Sequence, residues 1–166
     1  MNATQHQTTV NRASERELVV TRTFNAPAPL VYKAWTTPAL LLRWWAPESF
    51  GVAFLSCDVD ARVGGEYRFV FRHPASGEPM AFFGRYLEVI PNARLQWTNE
   101  EEGGGNITTV TFEEQGGATH VTVRDLYPSQ EALDSAIASG STGGSAIQFE
   151  QLDQILAADQ AAEARA

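Results

Sequence analysis

The chain reads as an α+β domain. A curved antiparallel sheet of about seven strands wraps onto a long C-terminal helix, and two short helices follow the first strand. Three observations carry this. Between residues 52 and 127 six short runs alternate apolar and polar residues, separated by turn clusters, which is strand patterning at hairpin spacing. No helix-length segment interrupts those runs, so neighbours pair antiparallel. From residue 145 the period becomes helical, with Phe149, Leu152, Ile155 and Leu156 as one apolar stripe and Glu150, Asp153 and Gln154 on the wet side. A sheet and a helix that are each apolar on one side must cover each other, and strong curvature leaves a hollow between them.

Residues 1–14 are polar, lack the apolar core of a secretory signal and read as a disordered tail. A single domain is expected over 15–160 and a frayed C-terminus over 161–166. RELVVTRTFN (16–25) is the first strand, with Leu18, Val20 and Phe24 on one face. APAP (26–29) ends it, because proline withholds a ladder donor. Leu30, Val31, Ala34 and Trp35 fall at helical spacing, and Thr37-Pro38 reads as an N-cap followed by proline at the first position of a second short helix. The strands VAFLSCDV, EYRFVFR, AFFGRYLEVI, RLQWTN, NITTVTFEE and THVTVRDLY follow. EALDSAIASG is a short helix ending at Gly140, STGG a joint, and residues 145–164 the long helix. The concave lining is expected from Tyr67, Phe69, Phe71, Leu95, Trp97, Val110, Phe112, Val121 and Val123, with Arg68, Arg72, Thr109, Thr111, Thr122 and Arg124 facing water.

At 166 residues and 43% hydrophobic composition, the chain buries a sizeable core without staples. Its only cysteine, Cys57, has no intrachain partner. Twenty acidic against twelve basic side chains give a net charge of −8, which repels a phosphate backbone, so no nucleic-acid partner is expected. No stretch approaches the roughly 20 apolar residues of a membrane span. A cytoplasmic protein, monomeric or weakly dimeric, is the expectation.

Gly64-Gly65, inside DVDARVGGEYRFVFR (58–72), admits two readings. A phosphate-cradling loop needs a helix N-terminus behind it, and a strand pattern follows instead. The pair therefore reads as turn chemistry, one glycine having positive φ, with Asp58 and Asp60 on one face at a strand end. GGGN (103–106) fails as a phosphate loop for the same reason.

DVDARVGGEYRFVFR, FGRYLEVIPNARLQWTN, TTVTFEEQGGATHVTV and GGSAIQFEQLDQIL, in this order and with RTFNAPAPLVYKAWTTPALLLRWWAP before them, resemble the bacterial single-domain branch of the SRPBCC (START-like) superfamily. More narrowly, residues 16–158 are similar to proteins named after the C-terminal domain of the activator of heat-shock-protein-90 ATPase. The resemblance implies a helix-grip fold with a hydrophobic cavity. It covers carriers, polyketide aromatases and cyclases, and co-chaperones without choosing among them. Related sequences often carry a large aromatic directly after the glycine pair, where this chain has Ser145.

Residue by residue, the chemistry is sparse. His6, His73 and His120 form no metal-like pair, so no metal is expected, and no cofactor motif or nucleophile elbow is present. Cys57 beside Asp58 reads as packed and inert. Of Trp44-Trp45, one tryptophan is expected to plug the core and the other to lie over its rim, or one of them lines the cavity mouth. Tyr86 and Glu88 share a face with Gly84 and would orient a ligand if that face were internal; alternation equally allows Phe83, Leu87 and Val89 inside. Arg62 and Arg94 flank turns and read as surface. The ligand-cavity residues expected are Trp44, Trp45, Tyr67, Phe69, Phe71, Tyr86, Trp97, Phe112, Ser145, Phe149 and Leu152; catalytic residues are unknown. The leading function is binding of an apolar or aromatic small molecule. The alternatives are an aromatase/cyclase-like enzyme and a chaperone-docking module, the protein partner being unknown.

Overall fold

The computed structural model describes residues 8–45, 53–72, 76–100, 105–138 and 145–165. The elements are β1 (Thr9–Arg12), β2 (Glu17–Phe24), α1 (Ala28–Thr36), α2 (Pro38–Trp44), β3 (Ala53–Val59), β4 (Glu66–Arg72), β5 (Pro79–Ile90), β6 (Arg94–Asn99), β7 (Asn106–Gln115), β8 (Ala118–Leu126), α3 (Gln130–Ala138) and α4 (Ser145–Arg165). The strands form one eight-stranded antiparallel sheet in the order β1-β2-β8-β7-β6-β5-β4-β3. Hairpins make every contact from β3 to β8; the non-local step is β2 against β8, Val20 facing Val123 and Phe24 facing Thr119. The two short helices carry the chain from β2 to the opposite edge strand, β3.

The expected fold class is the observed one, with four local differences. β1 lies in the stretch read as a tail; its four residues are all exposed and carry no apolar alternation, so backbone pairing with Leu18–Thr21 of β2 holds it there. The first seven residues lie outside the described ones. At the other end, α4 continues to Arg165 instead of fraying at 161. Thr37 does precede Pro38 of α2, but its side chain makes no cap bond; its backbone carbonyl instead accepts from the amides of Leu40 and Leu41, both at 3.0 Å. Asp153 is the fourth: its side chain is only 15% exposed and reaches Arg22 of β2 at 2.9 Å.

That pair explains a position the strand pattern leaves open. β2 buries Leu18, Val20, Arg22 and Phe24 in strict alternation, so Arg22 points inward. Its guanidinium donates to Asp153 Oδ2 and, at 3.0 Å, to Thr8 Oγ1, and lies 5.7 Å from the Phe24 ring centre. Around it, Phe149, Leu152, Ile155 and Leu156 of α4 are all buried, the stripe read from the sequence. α4 packs on α2, α1 and β2.

Both glycines of the 58–72 segment are required, for different reasons. Gly64 has φ +84°, the left-handed value the tight reversal needs. Gly65 has ordinary φ, but a Cβ there would lie 2.0 Å from the Asp60 carbonyl oxygen. The turn docks on β5, the Gly64 amide donating to the Tyr86 carbonyl and the Tyr86 amide to the Gly65 carbonyl, each at 2.9 Å.

Candidate functional site: a tryptophan-lined cavity with a half-buried carboxyl

A cavity of about 250 Å³ lies between the sheet and the first turns of α4. It is lined by Trp35, Trp44, Trp45, Trp97 and Phe149, by Leu18, Val20 and Val123, and by a polar group of Asn99, Asn106, Thr108, Asp125 and Tyr127, Trp97 facing Thr108 across β6–β7. All four tryptophans of the chain line it. Trp35 and Trp44 meet edge-on at 4.7 Å, Trp44 and Trp45 at 5.5 Å, and Trp35 and Phe149 at 5.9 Å. Trp44 is 1% exposed and donates its indole N–H to the Ala34 carbonyl at 2.9 Å, while Trp45 is half-buried. One tryptophan thus plugs the core and the other sits at its rim, and both reach the cavity. Gln151 and Gln148 of α4 hold this wall by donating to the carbonyls of Trp44, at 3.1 Å, and of Trp45.

The polar end is a directed chain. Asn99 Nδ2 donates to Thr108 Oγ1 at 2.9 Å, and Thr108 Oγ1 donates to Asp125 Oδ1 at 2.6 Å. Tyr67 braces it, its hydroxyl donating to the Thr98 carbonyl at 2.8 Å. Strand register makes the arrangement: Thr108 faces Asp125 across β7–β8, and Asp125 faces Leu18 across β8–β2. Thr108 is the only hydrogen-bond partner of the Asp125 carboxyl, and no Arg or Lys pairs with it, among the described residues. Burial therefore raises the Asp125 pKa, against the lowering effect of the Thr108 bond. Tyr127 is pushed up to about 12, by burial first and by Asp125 second.

A carboxyl whose folded pKa lies above the unfolded one destabilises the protein at pH above that folded pKa, and the penalty fades as pH falls through it toward the unfolded value. Asp125→Asn keeps the shape and removes the charge. We expect it to raise the melting temperature at neutral pH, with the gain shrinking to nothing near pH ~4. A variant that melts below the parent at pH 7 by differential scanning calorimetry would contradict a desolvated, unpaired carboxyl.

Of the residues expected to line a cavity, Trp44, Trp45, Trp97 and Phe149 do so together. Tyr67, Phe69 and Tyr86 surround an adjoining slot of only about 10 Å³, filled by side chains. Phe71, Phe112 and Leu152 belong to the continuous core, and the Ser145 side chain lies outside the described residues. The open question on β5 resolves through a register shift between Tyr86 and Glu88. Gly84 and Tyr86 point in before it; beyond it Val89 packs on the core, Leu87 is exposed, and Glu88 pairs with Arg94 at 3.1 Å on the surface. Arg62 is likewise a surface residue, paired with Asp60. Burial, and secondarily Asp58, pushes the Cys57 thiol up to about 11, the opposite of a reactive cysteine. Among the described residues no His, Cys, Asp and Glu side chains group as a metal site. Asp125, Thr108 and Asn99 are what residue reasoning missed. The signal was available: they continue the inward alternation of Val121-Val123, Val110-Phe112 and Leu95-Trp97.

Sheet, covering helix and interior cavity define a helix-grip domain of a ligand-binding or co-chaperone-like class. The family model described as Activator of Hsp90 ATPase homolog 1-like protein matches residues 25–157, and the chain belongs to this family. Solved structures agree. A protein from Rhodobacter sphaeroides superposes with a TM-score of 0.83 at 26% identity, covering 92% of this chain and 99% of its own. One from Mycobacterium smegmatis gives 0.78 at 25%, covering 92% and 99%. One from Chromobacterium violaceum gives 0.72 at 30%, covering 85% and 97%. No curated protein matches the chain. No described helix is long and apolar enough to cross a membrane.

Proposed function

We propose that the protein binds a small molecule with an apolar or aromatic body in the cavity between sheet and α4. The observation that carries this is the cavity itself, whose lining joins four tryptophans to a fixed polar group. Its 250 Å³ accommodates a molecule of about eight heavy atoms, taking ~30 Å³ per water-sized group. Apolar area removed from water supplies the affinity and the polar end the orientation. Micromolar binding is the expectation once ordering costs are met.

The test uses the intrinsic fluorescence, since every tryptophan lines the cavity. Titration with neutral aromatic compounds is expected to change the emission saturably in the micromolar range. Val123→Phe, which fills the floor, is expected to weaken binding about tenfold or more at little cost in melting temperature. No saturable change below millimolar for any compound, or unaltered binding in a folded Val123→Phe variant, would place binding elsewhere.

A further inference from the structure

We infer that the ligand carries a cationic amine, seated on the Asp125 carboxylate at the polar end of the cavity. This rests on the cavity-binding reading and adds the head group. Two independent features point to it. First, Asp125 Oδ1 accepts one bond, from Thr108, and no protein cation pairs with the carboxyl among the described residues. Eleven of the twelve Lys and Arg side chains of the sequence are among those described. A desolvated carboxylate without a cationic partner is costly, and an ammonium inside the cavity supplies both the charge and a second donor. Second, five aromatic rings share the lining, and one of them, Trp97, faces Thr108, the hydrogen-bond partner of Asp125, across β6–β7. A cation next to Trp and Phe rings gains from their quadrupoles, whereas an anion is repelled both by the ring faces and by Asp125.

The other groups around Asp125 leave the assignment open to a cation. Tyr127, just past the end of β8, stays neutral. On β2, Arg16 donates to the Tyr127 backbone carbonyl, and Glu17 is engaged by Arg124 at 3.2 Å. β6 and β7 contribute the neutral Asn99 and Thr108, and α4 the neutral Gln148. The overall charge of −8 attracts a cation and repels an anion.

Calorimetric titration of the full chain with phenethylamine, phenethyl alcohol and hydrocinnamate compares cation, neutral and anion on one aromatic body. The amine is expected to bind roughly tenfold to a hundredfold more tightly than the alcohol, as a charge-assisted bond requires, and the carboxylate most weakly. Asp125→Asn should bring amine and alcohol to equal affinity. In the parent protein the amine-to-alcohol ratio should fall as pH drops from neutral into the acid range and Asp125 takes up its proton, the amine staying charged. An amine no tighter than the alcohol, or a preference that survives Asp125→Asn, overturns the head-group assignment and leaves the cavity reading standing. Should Asp125→Asn not fold, a ratio constant across that pH range overturns it equally. Failure of all three compounds to bind at millimolar concentration overturns both.

Discussion

Alanine at Gly84 is expected to cost about 3 kcal/mol or more, the top of the range for overpacking and beyond it if the strands must part. A Cβ at this position would lie 1.8 Å from the Thr98 carbonyl oxygen and 2.7 Å from its carbon, both backbone atoms. That carbonyl also accepts from Tyr67, and the Thr98 hydroxyl accepts from the Arg85 amide, so neither strand is free to retreat. Gly64→Ala is the control. Nothing lies within 4 Å of its Cβ, and only φ +84° opposes it, so about 1 kcal/mol is expected. Denaturant unfolding of the two variants gives the comparison; equal midpoints would mean that β5 and β6 do not approach as described.

Asp153→Ala should cost about 3 kcal/mol, because it strands the Arg22 guanidinium against the core without its carboxylate. The side chains are 5% and 15% exposed, so Asp153 keeps some water and the lower part of the range for a broken buried pair applies. The double change Arg22→Met with Asp153→Leu removes the charges together and should recover most of the loss. A single variant as stable as the parent would mean that the pair is solvated and α4 is held to β2 by its apolar stripe alone.

These two sites mark where legibility ended. Leu18, Val20 and Phe24 were readable as an inward face because apolar residues repeat every second position; Arg22 occupies the same face yet is polar, and the charge that balances it there is a carboxylate on α4, 131 positions later. The same limit hid Asp125. Its inward direction follows from alternation, but its lack of a cation is a property of four strands and a helix brought together. On β5, alternation offered two faces, and the register shift after Tyr86 used both, because a bulge reverses side-chain direction within one strand.

Periodicity by itself determined the strands from β2 to β8, the apolar stripe of α4, the turn role of Gly64-Gly65 and the fold class. Period and turn chemistry are local, and local rules act on neighbours along the chain. Tertiary structure alone decided the pairing of β2 with β8, the recruitment of β1, the gathering of four tryptophans around one cavity and the isolation of its carboxyl. Those depend on which surfaces meet across the sheet, and contacts between residues distant in sequence leave no period to read.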